Sequence, residues 1–125
     1  MSVIGIGVDV IECARIQHSI ERFGGRFLHR VFTDGEIEYS MSMKFPERHL
    51  AARFAGKEAV GKALGCGVRF TWREIEIVGR PKPGVKLSGR TRAWAEKVRA
   101  GAIDLSMSHS KGLATAVCLV AERDA

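Results

Sequence analysis

Glu58 and Lys62 stand four residues apart in Arg53-Phe54-Ala55-Gly56-Lys57-Glu58-Ala59-Val60-Gly61-Lys62-Ala63. In a helix, that spacing puts a carboxylate and an ammonium one turn apart on one face. Side by side, the two groups can serve a divalent cation and a phosphate at once. The same spacing also describes an ordinary surface ion pair, worth about 0.2–0.5 kcal/mol. A second carboxylate, Asp9, lies in the run Val3-Ile4-Gly5-Ile6-Gly7-Val8-Asp9-Val10-Ile11. A charge in such surroundings is costly to bury unless it is paired, and a metal ion is one such partner. The alternative is that Asp9 lies at a strand end and pairs locally.

The elements that must position these residues follow from pattern. The β-branched, apolar run predicts a strand over 3–10 with both faces covered. Gly5 and Gly7 weaken a strand interior and mark a bulge or the close approach of another backbone or ligand. A helix over 12–23, a short element near 27–32 and a helix over 34–43 follow. Thr33 and Glu36 have the T-x-x-E spacing of a capping box. A long helix runs from Pro46 to Leu64, with proline in its first turn and Gly65 past its end. At about 1.5 Å per residue it spans roughly 28 Å and forms the spine of the domain, with Leu50, Phe54 and nearby alanines facing the core. Ile75 and Ile77 alternate with Glu74 and Glu76 as in a half-buried strand, and Pro81 to Gly84 make a turn before Val85 and Leu87. Ser88 caps a helix through Trp94 and Val98 that ends near Gly101. Ile103, Leu105 and Met107 alternate with polar residues, and Ser110-Lys111-Gly112 turns into a final strand from Leu113 to Val120. The expected architecture is α+β, one domain over 1–125, with a largely antiparallel sheet packed on one long helix.

Composition narrows the classes. A length of 125 residues, 46% hydrophobic and 27% charged residues are those of a globular domain with one modest core. No apolar run approaches the roughly 20 residues that span a bilayer, and no signal-peptide pattern opens the chain. Cys13, Cys66 and Cys118 lack metal-ligand spacing and suit a reducing cytoplasm. The net charge of +6 favours an anionic partner. On a continuous helix Arg15, Arg22 and Arg26 form a basic stripe beside an apolar one of Cys13, Ile16, Ile20 and Phe23, although Gly24-Gly25 can end the helix before Arg26. From spacing alone that stripe is either a docking edge or a solvated face.

Gly-Ile-Gly-Val-Asp near the start and Arg-Phe-Ala-x-Lys-Glu-Ala-x-x-Lys-Ala at 53–63 together resemble the signature of the 4′-phosphopantetheinyl transferase family. Asp9-Val10-Ile11-Glu12-x-x-Arg15-Ile16, Arg30-Val31-Phe32-Thr33-x-x-Glu36, Gly65-Cys66-Gly67 and Ser106-Met107-Ser108-His109 match further stretches, in family order. The chain resembles the short, single-domain branch, the holo-acyl-carrier-protein synthases, from residue 3 to about residue 121. That resemblance implies transfer of the phosphopantetheine arm of coenzyme A to a serine of apo-acyl carrier protein, in support of fatty acid biosynthesis. It implies Asp9 and Glu58 as magnesium ligands, Lys62 at the phosphates, and Gly65, Gly67, Ser108 and His109 at the cofactor. Arg15, Arg22 and Arg26 would dock the carrier protein. A homotrimer with sites shared between subunits is also implied, His109 serving its neighbour.

Several residues keep two readings. Glu36 is a candidate general base beside a metal-activated water, but its capping-box spacing favours a structural role. His109 has the strand parity of a core histidine and the position, before a turn, of a phosphate donor. Gly65 and Gly67 serve a helix stop as well as a cofactor rim. His18, His29 and His49 show no ligand spacing and are expected at the surface or in structural roles. Two rival classes remain: a catalytically silent carrier-protein-binding module, and a small basic nucleic-acid-binding domain. Against the latter stand six Phe, two Trp and one Tyr without an RNP-like pair, no zinc spacing, and 14 acids that break up the positive charge. Neither nucleic acid nor a membrane is expected as a partner.

Overall fold

The fold is given by a computed structural model that describes residues 2–67, 71–79 and 82–124. Strand β1 (Val3–Glu12) leads into α1 (Cys13–Phe23), α2 (Gly25–Val31), α3 (Asp34–Met41) and the long α4 (Pro46–Leu64). A 3-10 turn, Trp72–Glu74, opens the hairpin of β2 (Ile75–Val78) and β3 (Gly84–Leu87); α5 (Gly89–Lys97), β4 (Ala100–Ser110) and β5 (Leu113–Glu122) follow. The larger sheet is antiparallel in the order β1-β5-β4, and β2 pairs antiparallel with β3. This is the α+β class expected, and α4 has the bounds its proline and glycine signals give.

Helix α4 lies across all three strands of the larger sheet. Leu50, Ala51, Ala55, Ala59 and Val60 are fully buried between it and the rest of the core. Phe54 is only partly buried and stacks on Trp72, with ring centroids 4.6 Å apart. The β4–β5 hairpin closes through Lys111 (φ 50°) and Gly112 (φ 84°), the two positive angles that a tight two-residue turn requires.

Three expectations are corrected. Strand β1 is covered on one face only: Ile6, Val8 and Val10 are 67%, 64% and 59% exposed on the other. An unbroken apolar run does not distinguish a strand buried within its own chain from one that turns an apolar face outward. Ser88 occupies the N-cap position of α5 but makes no side-chain cap bond. The Glu74 carboxylate takes that role, accepting from the Arg90 and Thr91 N–H groups and from the Thr91 hydroxyl. The basic stripe is broken, because α1 closes at Gly24 (φ 55°) and Arg26 belongs to α2. Part of the expected 81–84 turn lies outside the described residues. No helix among the described residues is long and apolar enough to cross a membrane.

Candidate active site

Two glycines bring the carboxylates together. A Cβ on Gly5 would fall 1.8 Å from the Ala63 carbonyl oxygen, and one on Gly7 would fall 2.0 Å from that of Ala59. Strand β1 therefore rests directly on the backbone of α4, as only glycine permits. Asp9, two residues after Gly7, keeps the strand face that meets the helix. There the Lys62 ammonium sits 3.3 Å from Asp9 Oδ1 and donates to the Val8 carbonyl at 3.0 Å.

Glu58 shares this neighbourhood. Its carboxyl is pushed above the ordinary value of 4.5, chiefly by burial and then by the negative charge of Asp9, with Lys62 pulling the other way. Two carboxylates and one ammonium leave a spot short of positive charge. Among the described residues, no group of three or more His, Cys, Asp or Glu side chains could hold a metal alone. The hard oxygen donors of Asp9 and Glu58 instead fit magnesium in its usual mode, one or two carboxylates completed by phosphates and waters.

One turn beyond Lys62 the helix closes on Gly65 (φ 74°), with Gly65 N–H donating to Lys62 O at 3.1 Å and Cys66 N–H to Gly61 O at 2.9 Å. The Trp94 indole N–H donates to Leu64 O at 2.7 Å and satisfies another carbonyl of that last turn. Gly67 is also left-handed (φ 61°), and a Cβ at either glycine would meet nothing within 4 Å among the described residues. The backbone angle selects glycine here, and the described residues leave the rim beside Lys62 open.

His109 and Ser108 lie elsewhere. Asp9 pairs with Ala116 of β5, and Ala116 pairs in turn with Met107 of β4. The β4 residues thus stand two strand spacings, about 10 Å, from β1. His109 is exposed rather than a core histidine, and its ring meets His49 edge-on at 5.4 Å. His49 meets Tyr39 at 5.7 Å, and the Arg53 guanidinium lies 4.3 Å from the Tyr39 ring. Burial first, then the neighbouring His109, Arg53 and Arg48 against the opposing Glu47, hold the His49 imidazole below its ordinary value of 6.5. A cleft of about 230 Å³ opens beside Tyr39, Arg53 and Glu76. His18 and His29 are exposed, His29 within 3.6 Å of Asp34.

Glu36 is committed to structure. One oxygen accepts from Thr33 N–H at 2.9 Å and sits 2.7 Å from Lys57 Nζ; the other accepts from Ile77 N–H at 2.8 Å. With 2% of its surface exposed, it closes the capping box and has no face for a substrate hydroxyl. Arg15, Arg22 and Arg26 are all exposed. Phe23, expected on the packed stripe, is 49% exposed and lies 5.3 Å from the Arg22 guanidinium. Sequence reasoning missed Lys57, Tyr39 and Glu74 because their partners are distant in the chain.

Residues 5–118 match the family model described as the 4′-phosphopantetheinyl transferase superfamily. The holo-[acyl-carrier-protein] synthase of Carboxydothermus hydrogenoformans is 44% identical over 117 residues, covering 91% of this chain and 94% of that protein. The enzyme of the same name from Moorella thermoacetica is 46% identical over 119 residues, covering 91% of each. Among solved structures, the Neisseria meningitidis holo-[acyl-carrier-protein] synthase superposes with a TM-score of 0.88 at 31% identity, covering 96% of this chain and 99% of that one. The Helicobacter pylori enzyme in complex with coenzyme A gives 0.81 at 31% identity, covering 93% and 99%. The chain belongs to the 4′-phosphopantetheinyl transferase superfamily. Within it the chain falls among the holo-acyl-carrier-protein synthases, and it is an enzyme of that class.

Proposed function

We propose that this chain moves the 4′-phosphopantetheine arm of coenzyme A to a serine hydroxyl of apo-acyl carrier protein in a magnesium-dependent reaction that supplies fatty acid biosynthesis. The observation that carries this reading is the convergence of Asp9, Glu58 and Lys62 where β1 crosses α4. The serine oxygen forms a bond to the phosphorus that carries the pantetheine arm. The phosphoanhydride bond breaks, and adenosine 3′,5′-bisphosphate leaves with the electron pair. Little covalent help is needed; positioning and neutralisation of phosphate charge do most of the work.

Asp9 and Glu58 would hold magnesium, which when bound draws charge from the diphosphate. Lys62 is anchored by Asp9 and Val8 O while half exposed, so its ammonium can face the phosphate being released and meet its growing charge. Gly65 and Gly67 offer open backbone one turn away for the rest of the cofactor. Glu36 is engaged on both oxygens, so the serine proton goes to a water at the site.

The remaining assignments concern the assembly. The outward face of Ile6, Val8, Val10, Leu113 and Val117 supports a homotrimer, and Ser108 with His109 would complete the cofactor site of a neighbouring subunit. Arg15 and Arg22 on α1, Arg26 on α2 and the exposed Phe23 would receive the acidic carrier protein. Residues 1–125 act as one catalytic domain in the cytoplasm, a reading favoured by three buried, unbridged cysteines.

Intact mass of the carrier protein tests the reaction. Incubation with coenzyme A and magnesium should add one phosphopantetheine, and EDTA or Glu58→Ala should abolish the gain. A folded protein that modifies none of several carrier proteins would instead support the silent binding module.

A further inference from the structure

Lys57 immediately precedes Glu58 and is fully buried. Its ammonium lies 2.7 Å from Glu36 Oε1 and donates to the carbonyls of Trp72, at 2.9 Å, and Ile75. Three acceptors meet the three donors of a lysine. The other Glu36 oxygen takes Ile77 N–H, so one ion pair joins α3, α4, the 3-10 turn and β2. Such a pair is weak evidence for stability, since apolar residues of similar volume often do as well or better. Its geometry shows what else it does.

Lys57 and Glu58 project about 100° apart around the helix. From the Lys57 side, α4 is tied to α3, the 3-10 turn and β2; at Ala59 and Ala63 it is pressed by Gly7 and Gly5 of β1. Two such contacts at different angles fix the rotation of the helix about its axis. That rotation decides whether Glu58 and Lys62 face Asp9. The geometry points to Lys57 as a positioning residue: with Glu36 it locks the roll of α4 so that Glu58 and Asp9 share one divalent cation. The inference rests on the reading of Asp9 and Glu58 as the metal pair.

The test is the double variant Glu36→Gln, Lys57→Met, which removes both charges together, leaving the local net charge unchanged and no buried ion unpaired. Thermal unfolding and near-ultraviolet circular dichroism report the fold, and electron paramagnetic resonance reports Mn²⁺ binding in the presence of adenosine 3′,5′-bisphosphate. Folded double variant should bind Mn²⁺ roughly 10-fold more weakly than wild type, the low end of the loss when groups supporting metal ligands are removed. The KM for carrier protein should not change. A purely packing role would lower the melting temperature and leave Mn²⁺ affinity per folded molecule as it was; affinity within twofold of wild type overturns the proposal. Should the double variant not fold, Glu36→Gln with Lys57→Gln, which keeps polar side chains at both positions and leaves no ion unpaired, decides by the same measure, with a smaller loss expected and wild-type affinity again overturning the proposal. Wild type and Asp9→Ala that bind Mn²⁺ alike would refute the metal pair itself, a different result.

Discussion

Glu58, proposed as a metal ligand, is a residue whose charge works against the fold that carries it. Burial and the charge of Asp9 raise the Glu58 carboxyl above 4.5, so the folded chain holds that proton to higher pH than the unfolded chain does. Ionisation of Glu58 therefore weakens the metal-free fold: the loss is absent below about the unfolded value of 4.5 and complete above the raised folded value. Glu58→Gln should consequently melt at a higher temperature than wild type at pH 7 in EDTA, with the gap closing as pH falls towards 4. A constant gap across that range, or a less stable variant at pH 7, would show that Glu58 is not under electrostatic strain. A stabilising change that abolishes transfer is the pattern expected of a residue kept for chemistry.

At the level of elements, the crossing of β1 over α4 is the feature on which the site depends. A methyl group on Gly7 would stand 2.0 Å from Ala59 O, 2.9 Å from Ala59 C and 2.9 Å from Ala63 N, all backbone atoms with no side-chain freedom to yield. Gly7→Ala should destabilise the fold by about 1–3 kcal/mol, the range for overpacking. It should also reduce kcat/KM by more than the loss of folded protein explains, because Asp9 moves with the strand. Denaturant unfolding beside steady-state kinetics checks both, and a Gly7→Ala protein of wild-type stability would mean that the crossing is loose. Gly5 and Gly7 were legible as points of close approach, as was α4 from Pro46 and Gly65. Local signals suffice where the cause is local. The cap of α5 was misread because a Glu74 carboxylate, placed by tertiary contact, outcompetes the Ser88 hydroxyl. Lys57 was overlooked for the same reason: its three partners lie 15 to 21 residues away, and nothing in the spacing of the helix marks it as buried.

In the whole molecule, the proposed site residues fall into two groups on one chain. Asp9, Glu58 and Lys62 cluster where β1 meets α4, while Ser108 and His109 lie on β4, with β5 between. The sheet meanwhile turns Ile6, Val8 and Val10 outward, 59–67% exposed, a larger apolar face than scattered surface residues would give. A cyclic assembly that covers this face and sets the β1 side of one subunit against the β4 side of the next accounts for both features. Head-to-tail contacts of this kind would close into a ring and, on the proposed site assignment, give each interface one complete site. Complementation between two inactive variants tests this directly. Asp9→Ala removes the carboxylate half and His109→Ala the histidine half, so neither alone should transfer efficiently. Co-expressed in equal amounts and assembled at random, they should recover roughly a quarter of wild-type activity, because one interface in four pairs the two intact halves. Sedimentation should give three times the 13.7 kDa chain mass for the mixed assembly. No recovery from an assembly shown to be mixed would place the complete site within a single chain.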